Sequence, residues 1–307
     1  MSYNVRYFGH ATGGLASTPG AIRRIAEAIA SLEPLPVVVC LQEVETTSLR
    51  STVAHPGKDP QVERFMAALR GALLRVHKPD VYEALYYPAH AYRLSRDTRV
   101  YTTGLAILVH GSMTVEQHNV KTPHDITHRR GPASGLKQTR ICAHARLRWR
   151  ADRSHPAIDV FNTHLSLPSA LTREFWTQPR RLGWGRNQMH EADNLARFVE
   201  RERKDDRFVI VGDFNALPGS PVYNRLLEVH RWTDAFAKQH NLTLDELVQW
   251  PTAGFARMRM HLDHVFTGPG LGWLDFDETR PFGDAASRFH GLSDHVPLVA
   301  RAVCGGR

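Results

Sequence analysis

Buried-strand patterns alternate with amphipathic helix patterns along the whole chain, and this alternation constrains the fold most. The run "LPVVVCLQE" is continuous in apolar residues and then turns polar, as in a strand that is covered on both faces. In "STPGAIRRIAEAIASLE", Thr18 is a candidate helix cap, Pro19 stands in the first turn, and isoleucines recur on one face. No repeat, low-complexity tract or glycine-serine linker interrupts the pattern. We therefore predict one α/β domain over residues 1–307.

The charge balance favours polyanionic partners. Lysine and arginine total 39 against 31 acids, a formal net charge of +8, and such a charge attracts polyanions. No apolar stretch approaches the roughly 20 residues of a membrane span. The first residues lack the apolar core of a signal peptide, so we expect a cytoplasmic protein. Three cysteines are too few and too scattered for a disulfide framework.

Polar side chains follow one predicted strand after another. They are Asn4, Glu43, Asn162, His164, Asp213, Asn215, Asp263, Asp294 and His295. Because ligand sites of open α/β folds lie beyond strand ends, we expect these residues to converge in one site. In "VIVGDFNALPGSP", Asp213 and Asn215 also suit a simple turn. A turn does not account for the other strand ends.

The predicted donors favour a hard divalent cation. Carboxylate and amide oxygens suit Mg²⁺ or Mn²⁺ better than zinc. Since Mg²⁺ takes only one or two carboxylates, the remaining acids are expected to orient histidines or a water. His261 and His264 in "HLDH" suggest zinc, but on a strand this spacing places them on opposite faces.

Six short segments resemble, in order, the signature motifs of the endonuclease/exonuclease/phosphatase superfamily: "SYNV", "CLQEV", "NTHLS", "VGDFNALPGS", "HLDHVF" and "LSDHVPL". That group includes pancreatic-type DNase, exonuclease III-like nucleases, neutral sphingomyelinases and inositol-polyphosphate 5-phosphatases. The resemblance implies a four-layer α/β/β/α sandwich (DNase I-like), with two mixed β-sheets face to face and helices outside. It also implies phosphoester hydrolysis with Mg²⁺, or Mn²⁺, through in-line attack of water on phosphorus.

The resemblance implies how a metal and a water would be held. Glu43 is the implied metal ligand, with Asn4 and Asp294 nearby. Asp213 would align or deprotonate the attacking water. Asn215 would hold a phosphate oxygen.

The resemblance also implies the groups that contact substrate. His295, oriented by Asp263, would contact the phosphate, and His164 would lie near the leaving group. Arg140, at a predicted strand start, and Asn162 are the implied substrate-binding residues.

Three functions remain open at this point. Nucleic acid is the favoured phosphoester substrate because of the basic charge. A phospholipid head group or an inositol phosphate is the alternative, since "FNTHLS" departs from the exonuclease III-like motif, and the aromatic and arginine residues of Arg173–Gly185 suit an interfacial or substrate-covering loop. An inactive binding module is the third, and the intact acids and histidines argue against it.

Overall fold

Two β-sheets form the centre of the protein. The structure, a computed structural model, describes residues 1–9, 18–45, 61–79, 81–89, 103–128, 139–167, 182–255 and 257–304. The first sheet has the order β1-β2-β4-β3, with β1 at Ser2–Asn4, β2 at Val38–Glu45, β4 at Thr103–His110 and β3 at Tyr82–Pro88. Strand β1 runs parallel to β2, and the other pairs are antiparallel.

The second sheet has the order β10-β13-β9-β8-β7-β5, and a short β6 also pairs with β7. Its strands are β5 (Met113–His118), β6 (His124–Asp125), β7 (Ile141–Trp149), β8 (Ile158–His164), β9 (Phe208–Asp213), β10 (Thr233–Asp234) and β13 (Asp263–Thr267). Strands β8 and β9 are parallel, while β13 is antiparallel to β9. One end of this sheet therefore carries the last residues of β8 and β9 and the first residue of β13.

Helices cover the outer face of each sheet. They are α1 (Pro19–Ala30), α2 (Gln61–Arg75), α3 (Arg186–Glu202), α4 (Pro221–Asn224, continued by a wider turn over Arg225–Val229), α5 (Ala235–Gln239) and α6 (Leu244–Val248). The predicted Thr18 cap is confirmed, because Thr18 accepts a hydrogen bond from the Ala21 N–H. Ser220 caps α4 in the same way and accepts a hydrogen bond from the Tyr223 N–H. No helix in the described ranges is long and apolar enough to cross a membrane.

Two apolar cores separate the layers. In β2, Val39 and Leu41 pack with α1 and α2, whereas Cys40 packs towards the second sheet, because side chains alternate along a strand. The second core fills the space between the sheets and continues beneath α3. The order helix, sheet, sheet, helix confirms the four-layer fold.

Smaller elements complete the described chain. Strands β11 (Ala253–Phe255) and β12 (Met258–Met260) form one hairpin, and β14 (Leu271–Asp275) pairs with β15 (Arg301–Cys304). The closing segment "SDHVPLVARAV" is a regular strand only from Arg301 onward. Before that it makes isolated bridges, one of which joins His295 to Ala253.

One buried amide ties the two sheets together. Asn162, in β8, donates from Nδ2 to the carbonyls of Leu41 and Ala106 in the first sheet, each at 3.1 Å. Its Oδ1 accepts from Gln42 Nε2 at 2.8 Å. Because Asn162 is fully buried and bonded on both sides, these contacts support a role in joining the sheets and not the substrate contact that the resemblance implies.

Candidate active site

The strand ends that carry the polar residues lie close together, at the same end of the two packed sheets. Asn4, at the end of β1, donates from Nδ2 to Glu43 Oε1 and to Asp213 Oδ2, each at 3.1 Å. The second hydrogen bond crosses from the first sheet to the second. In the second sheet, Asp213 lies opposite Asp263 and beside His164 in the strand register. Side chains from distant parts of the sequence are thus brought into direct contact.

A β-bulge presents Glu43. Gln42 faces the second sheet and Val44 packs with the outer helices, so regular alternation is interrupted and Glu43 is the extra residue. Its φ of 55° is uncommon for a residue with a side chain. Asn215 has a similar φ of 49°. Such backbone conformations cluster at functional sites, where the surrounding structure maintains them.

The Asn215 turn is tightly fixed. Its backbone N–H donates to Asp213 Oδ1 and its Nδ2 donates to the Leu165 carbonyl, both at 2.9 Å. The Asn215 carbonyl accepts from Gln188 Nε2 at 2.9 Å. The turn that the sequence suggested is therefore present, and it is part of the site. Gln188 is a support of this turn that sequence patterns did not predict, and its place in the first turn of α3 was the available signal.

A carboxylate holds His295. The Nδ1 of His295 lies 2.8 Å from Asp263 Oδ2, an oxygen that also accepts from Thr252 Oγ1 at 2.7 Å. The Nε2 then lies 3.7 Å from Asp213 Oδ2. Burial lowers the pKa of His295, but the negative charges of Asp263 and Asp213 outweigh burial and raise this pKa well above its ordinary value. His295 is thus a cationic hydrogen-bond donor at neutral pH.

His164 has the opposite electrostatic character. Its Nε2 lies 3.5 Å from Asp213 Oδ2 and 3.9 Å from Glu43 Oε1. Burial, together with the positive charges of Arg140 and His295, lowers the pKa of His164 well below its ordinary value. One neutral and one cationic imidazole therefore flank the same carboxylate, an arrangement that suits two different proton-transfer roles.

Arg140 lies beside His164, and both line one small pocket. The guanidinium is close enough to Glu43 for its positive charge to oppose the rise in the pKa of that carboxyl. The Nε of Arg140 is buried and has no hydrogen-bond partner within the described ranges. A cationic donor at this position can bind an anionic substrate group.

The crowded acids fit a cation. Burial and the negative charge of Asp294 raise the pKa of Glu43. Burial also raises the pKa of Asp213 to about 7, against the positive charge of His295. Ligand atoms of Glu43, His164 and Asp213 lie within 4.8 Å of one another. A divalent cation among these oxygens would favour their ionised forms, so the donor set fits such an ion.

Arg6 is a site residue that the sequence analysis missed. It lies in a single turn, Arg6–Phe8, directly after β1, and its backbone N–H donates to Asn4 Oδ1 at 3.0 Å. Its Nη1 lies 3.0 Å from Asp294 Oδ2. Ser293 adds a hydrogen bond from Oγ to the Asn4 carbonyl at 2.8 Å. The only sequence signal for Arg6 was a cation two residues after Asn4.

The candidate covering loop is described only at its end. Residues 173–181 of Arg173–Gly185 lie outside the described ranges. The Gly183 carbonyl accepts from the Val222 N–H, which ties this end of the loop to α4. Trp184 is 60% exposed and precedes the helix that carries Gln188.

Solved structures share this fold at low sequence identity. The human Nocturnin catalytic domain with bound sulfate anion aligns with a TM-score of 0.60 and 17% identity, over 98% of this chain and 91% of that chain. ANGEL2, a 2',3'-cyclic phosphatase in complex with adenosine-2',3'-vanadate, gives 0.56 and 18%, over 98% and 94%. The mannosyl-6-phosphatase Bt3783 of Bacteroides thetaiotaomicron gives 0.57 and 14%, over 98% of each chain. At these identities the likeness concerns the fold.

The family assignment comes from the sequence profile. A comparison with curated protein sequences finds no significant match. The profile described as "Endonuclease/Exonuclease/phosphatase family" matches residues 1–295, a range that includes every strand-end residue from Asn4 to His295. The chain belongs to the endonuclease/exonuclease/phosphatase family, whose members hydrolyse phosphoesters.

Proposed function

We propose that the protein is a divalent-metal-dependent phosphodiesterase with nucleic acid as its favoured substrate. The observation that carries the proposal is the cluster around Asp213, whose Oδ2 lies 3.1 Å from Asn4, 3.5 Å from His164 and 3.7 Å from His295. An acid, a neutral imidazole and a cationic imidazole thus surround one small volume. Family membership supports phosphoester hydrolysis as the reaction class.

Glu43 would hold Mg²⁺ or Mn²⁺, with Asn4 and Asp294 close by. The fit rests on oxygen donors and on the raised pKa of Glu43, which reflects its burial and its repulsion by Asp294. When bound, the cation neutralises the negative charge that develops on the phosphoryl oxygens.

The remaining residues position and move protons. Asp213 would align the attacking water, and its pKa of about 7 suits a proton acceptor at neutral pH. His295, fixed at Nδ1 by Asp263, would donate from Nε2 to a phosphate oxygen. His164 would lie beside the leaving oxygen, and Arg140 would bind the substrate anion. Positioning and charge stabilisation supply most of the rate enhancement in such reactions.

Asn215 would contribute a phosphate contact from its fixed turn. Its Nδ2 donates to the Leu165 carbonyl in this structure, and an amide NH₂ has a second hydrogen that can donate to a phosphate oxygen. The hydrogen bond to Gln188 fixes the turn and thereby lowers the entropy lost on binding.

Charge supports nucleic acid as the substrate class. The net charge of +8 favours a polyanion, and the ANGEL2 structure holds a vanadate adduct of adenosine. The second candidate is a small or lipid phosphoester. The likeness to a mannosyl-6-phosphatase favours the small phosphoester, and the exposed Trp184 suits a lipid surface.

A substrate panel tests the proposal. The protein is incubated with plasmid DNA, RNA, sphingomyelin vesicles, an inositol phosphate and mannose 6-phosphate, each with Mg²⁺, with Mn²⁺ and with EDTA. We expect nucleic-acid cleavage that EDTA abolishes, with a KM that rises with salt because phosphate contacts release counterions. Cleavage of lipid or monoester alone would transfer the proposal to the second candidate. No turnover with any divalent ion would favour the binding module.

A further inference from the structure

A second cluster of ligating side chains lies outside the candidate active site. It consists of Asp234 in β10, His264 in β13 and His261, two residues before β13. All three are buried, and one ligand atom of each lies within 4.8 Å of the others. The prediction that the two histidines face opposite ways is wrong, because their ring centroids are 4.9 Å apart. Strand β13 begins only at Asp263, so His261 precedes it and the alternation rule does not apply to that residue.

Each histidine is anchored to the backbone through its outer nitrogen. The Nδ1 of His261 lies 2.5 Å from the Trp250 carbonyl, and the Nε2 of His264 lies 2.9 Å from the Ala216 carbonyl. A carbonyl only accepts hydrogen bonds, so both of these nitrogens carry a proton. The other ring nitrogens, Nδ1 of His264 and Nε2 of His261, are called the inner nitrogens. The Nδ1 of His264 is 3.2 Å from Asp234 Oδ2.

The inner nitrogen of His261 has no partner. His261 is fully buried, and its Nε2 makes no hydrogen bond within the described ranges. Because Nδ1 carries the proton, Nε2 of the neutral ring holds the lone pair. A buried nitrogen without a hydrogen-bond partner, in a ring whose centroid is 4.9 Å from that of a second histidine, requires an explanation.

We propose that Asp234, His261 and His264 form a zinc site, separate from the cation site of the hydrolytic centre. Imidazole and carboxylate ligands suit Zn²⁺, and ligating histidines commonly donate their other N–H to a backbone carbonyl, as both do here. With metal–ligand bonds of about 2.0–2.1 Å, tetrahedral ligand atoms lie about 3.3 Å apart. The His264–Asp234 separation of 3.2 Å already matches, and since the ligand atoms of all three residues lie within 4.8 Å of one another, the His261 side chain would move inward to complete the site.

The surroundings indicate a structural site. All three side chains are buried, so the ion would be shielded from bulk solvent and would connect separate segments of the fold, with a water as the fourth ligand. The Tyr223 hydroxyl lies 3.1 Å from Asp234 Oδ2, and Asp234 Oδ1 accepts from the Ala237 N–H at the start of α5. The ion would connect β10, α5 and the start of β13, next to the Asp263 that fixes His295.

Zinc content tests the proposal. The purified protein is exposed to EDTA, transferred into excess Mg²⁺, and analysed for zinc by mass spectrometry. We expect about one zinc per chain in the wild type and in Glu43→Gln, which alters only the oxygen-rich site, and at least a ten-fold loss in His261→Gln. His155→Gln is the matched control. His155 contacts the Asp152 carboxylate at 2.7 Å but is 54% exposed, so this variant should keep its zinc.

A second measurement, on the wild-type protein, tests the proposal even if His261→Gln fails to fold. Wild-type protein refolded with Co²⁺ should show the visible absorption bands of four-coordinate cobalt, and these bands should persist in excess Mg²⁺. Wild-type protein without bound zinc after refolding in zinc, or equal zinc in the wild type and His261→Gln, overturns the proposal. Both readouts count metal, so they remain separate from the fate of the proposed hydrolase activity.

Discussion

Two buried histidines, His295 and His144, each contact a carboxylate through one ring nitrogen, and of these two only His295 faces the acid cluster. His295 Nδ1 lies 2.8 Å from Asp263, and His144 Nε2 lies 2.9 Å from Asp159. Because His295 would donate to the phosphate, we expect His295→Gln to lower kcat by roughly 10²–10³, the typical loss for one stabilising donor. The measurement is kcat on the nucleic-acid substrate, paired with urea unfolding.

His144→Gln is the matched control for this experiment. Both variants remove one buried imidazole from a carboxylate, so we expect similar destabilisation, on the order of 1–3 kcal/mol. Only His295→Gln should lose activity when both proteins are folded. Equal activity in the two variants would contradict the role given to His295.

The raised pKa of Asp213 predicts how the metal-free protein responds to pH. Its folded pKa of about 7 lies above the ordinary pKa of aspartate. Between these two values the folded chain keeps a proton that the unfolded chain releases, so stability falls as pH rises from about 4 to about 7. In EDTA, we expect urea unfolding to show this fall in the wild type, on the order of 1–4 kcal/mol. Asp213→Asn should flatten the dependence, and an unchanged slope would refute the assignment.

The ionisation of the same carboxylates sets the pH at which a divalent cation stabilises the fold. Divalent cations bind the ionised acids, so Mg²⁺ should raise Tm more at about pH 8 than at about pH 5. Glu43→Gln should remove most of this gain because Glu43 is the proposed ligand. A rise in Tm of equal size at both pH values, or in both proteins, would place the ion elsewhere.

At the scale of elements, the close approach of β8 and β9 depends on one glycine. Gly212 has a φ of 149°, and a Cβ at this position would overlap the carbonyl oxygen of Thr163. We expect Gly212→Ala to destabilise the protein by about 2–4 kcal/mol and to displace Asp213, the next residue. Gly20→Ala, in α1, meets nothing within 4 Å and should be neutral or slightly stabilising. Urea unfolding of both variants measures the contrast, and equal effects would contradict it.

The bulge in β2 and the start of β13 show where local patterns fail. Residue type and periodicity predicted α1 and its Thr18 cap, because both depend on neighbouring residues. The direction of Glu43 depends on an extra residue in the pairing of β2 with β4. The position of His261 depends on β13 starting two residues later. Strand pairing decides both features, and a period-2 pattern cannot locate such an interruption.

At the scale of the whole molecule, the hydrogen bonds of Asn162 distinguish a structural role from a substrate contact. Asn162→Ala would remove one hydrogen-bond donor from the carbonyls of Leu41 and Ala106 and one acceptor from Gln42 Nε2. We expect a loss of about 2–4 kcal/mol in unfolding free energy with an unchanged KM. The measurement combines urea unfolding with steady-state kinetics on the same preparation. A raised KM at unchanged stability would restore the substrate-binding role.

The sequence alone determined the class of fold, the order of the motifs and the residue types at the strand ends, because burial patterns and oxygen-rich donor sets are local properties of the chain. Tertiary structure decided which side chains meet. The contacts of Arg6 with Asp294, of Thr252 with Asp263 and of His261 with His264 each depend on how separate segments pack. Strand register and the spacing of the two sheets set those distances, and neither is encoded by the neighbours of any one residue.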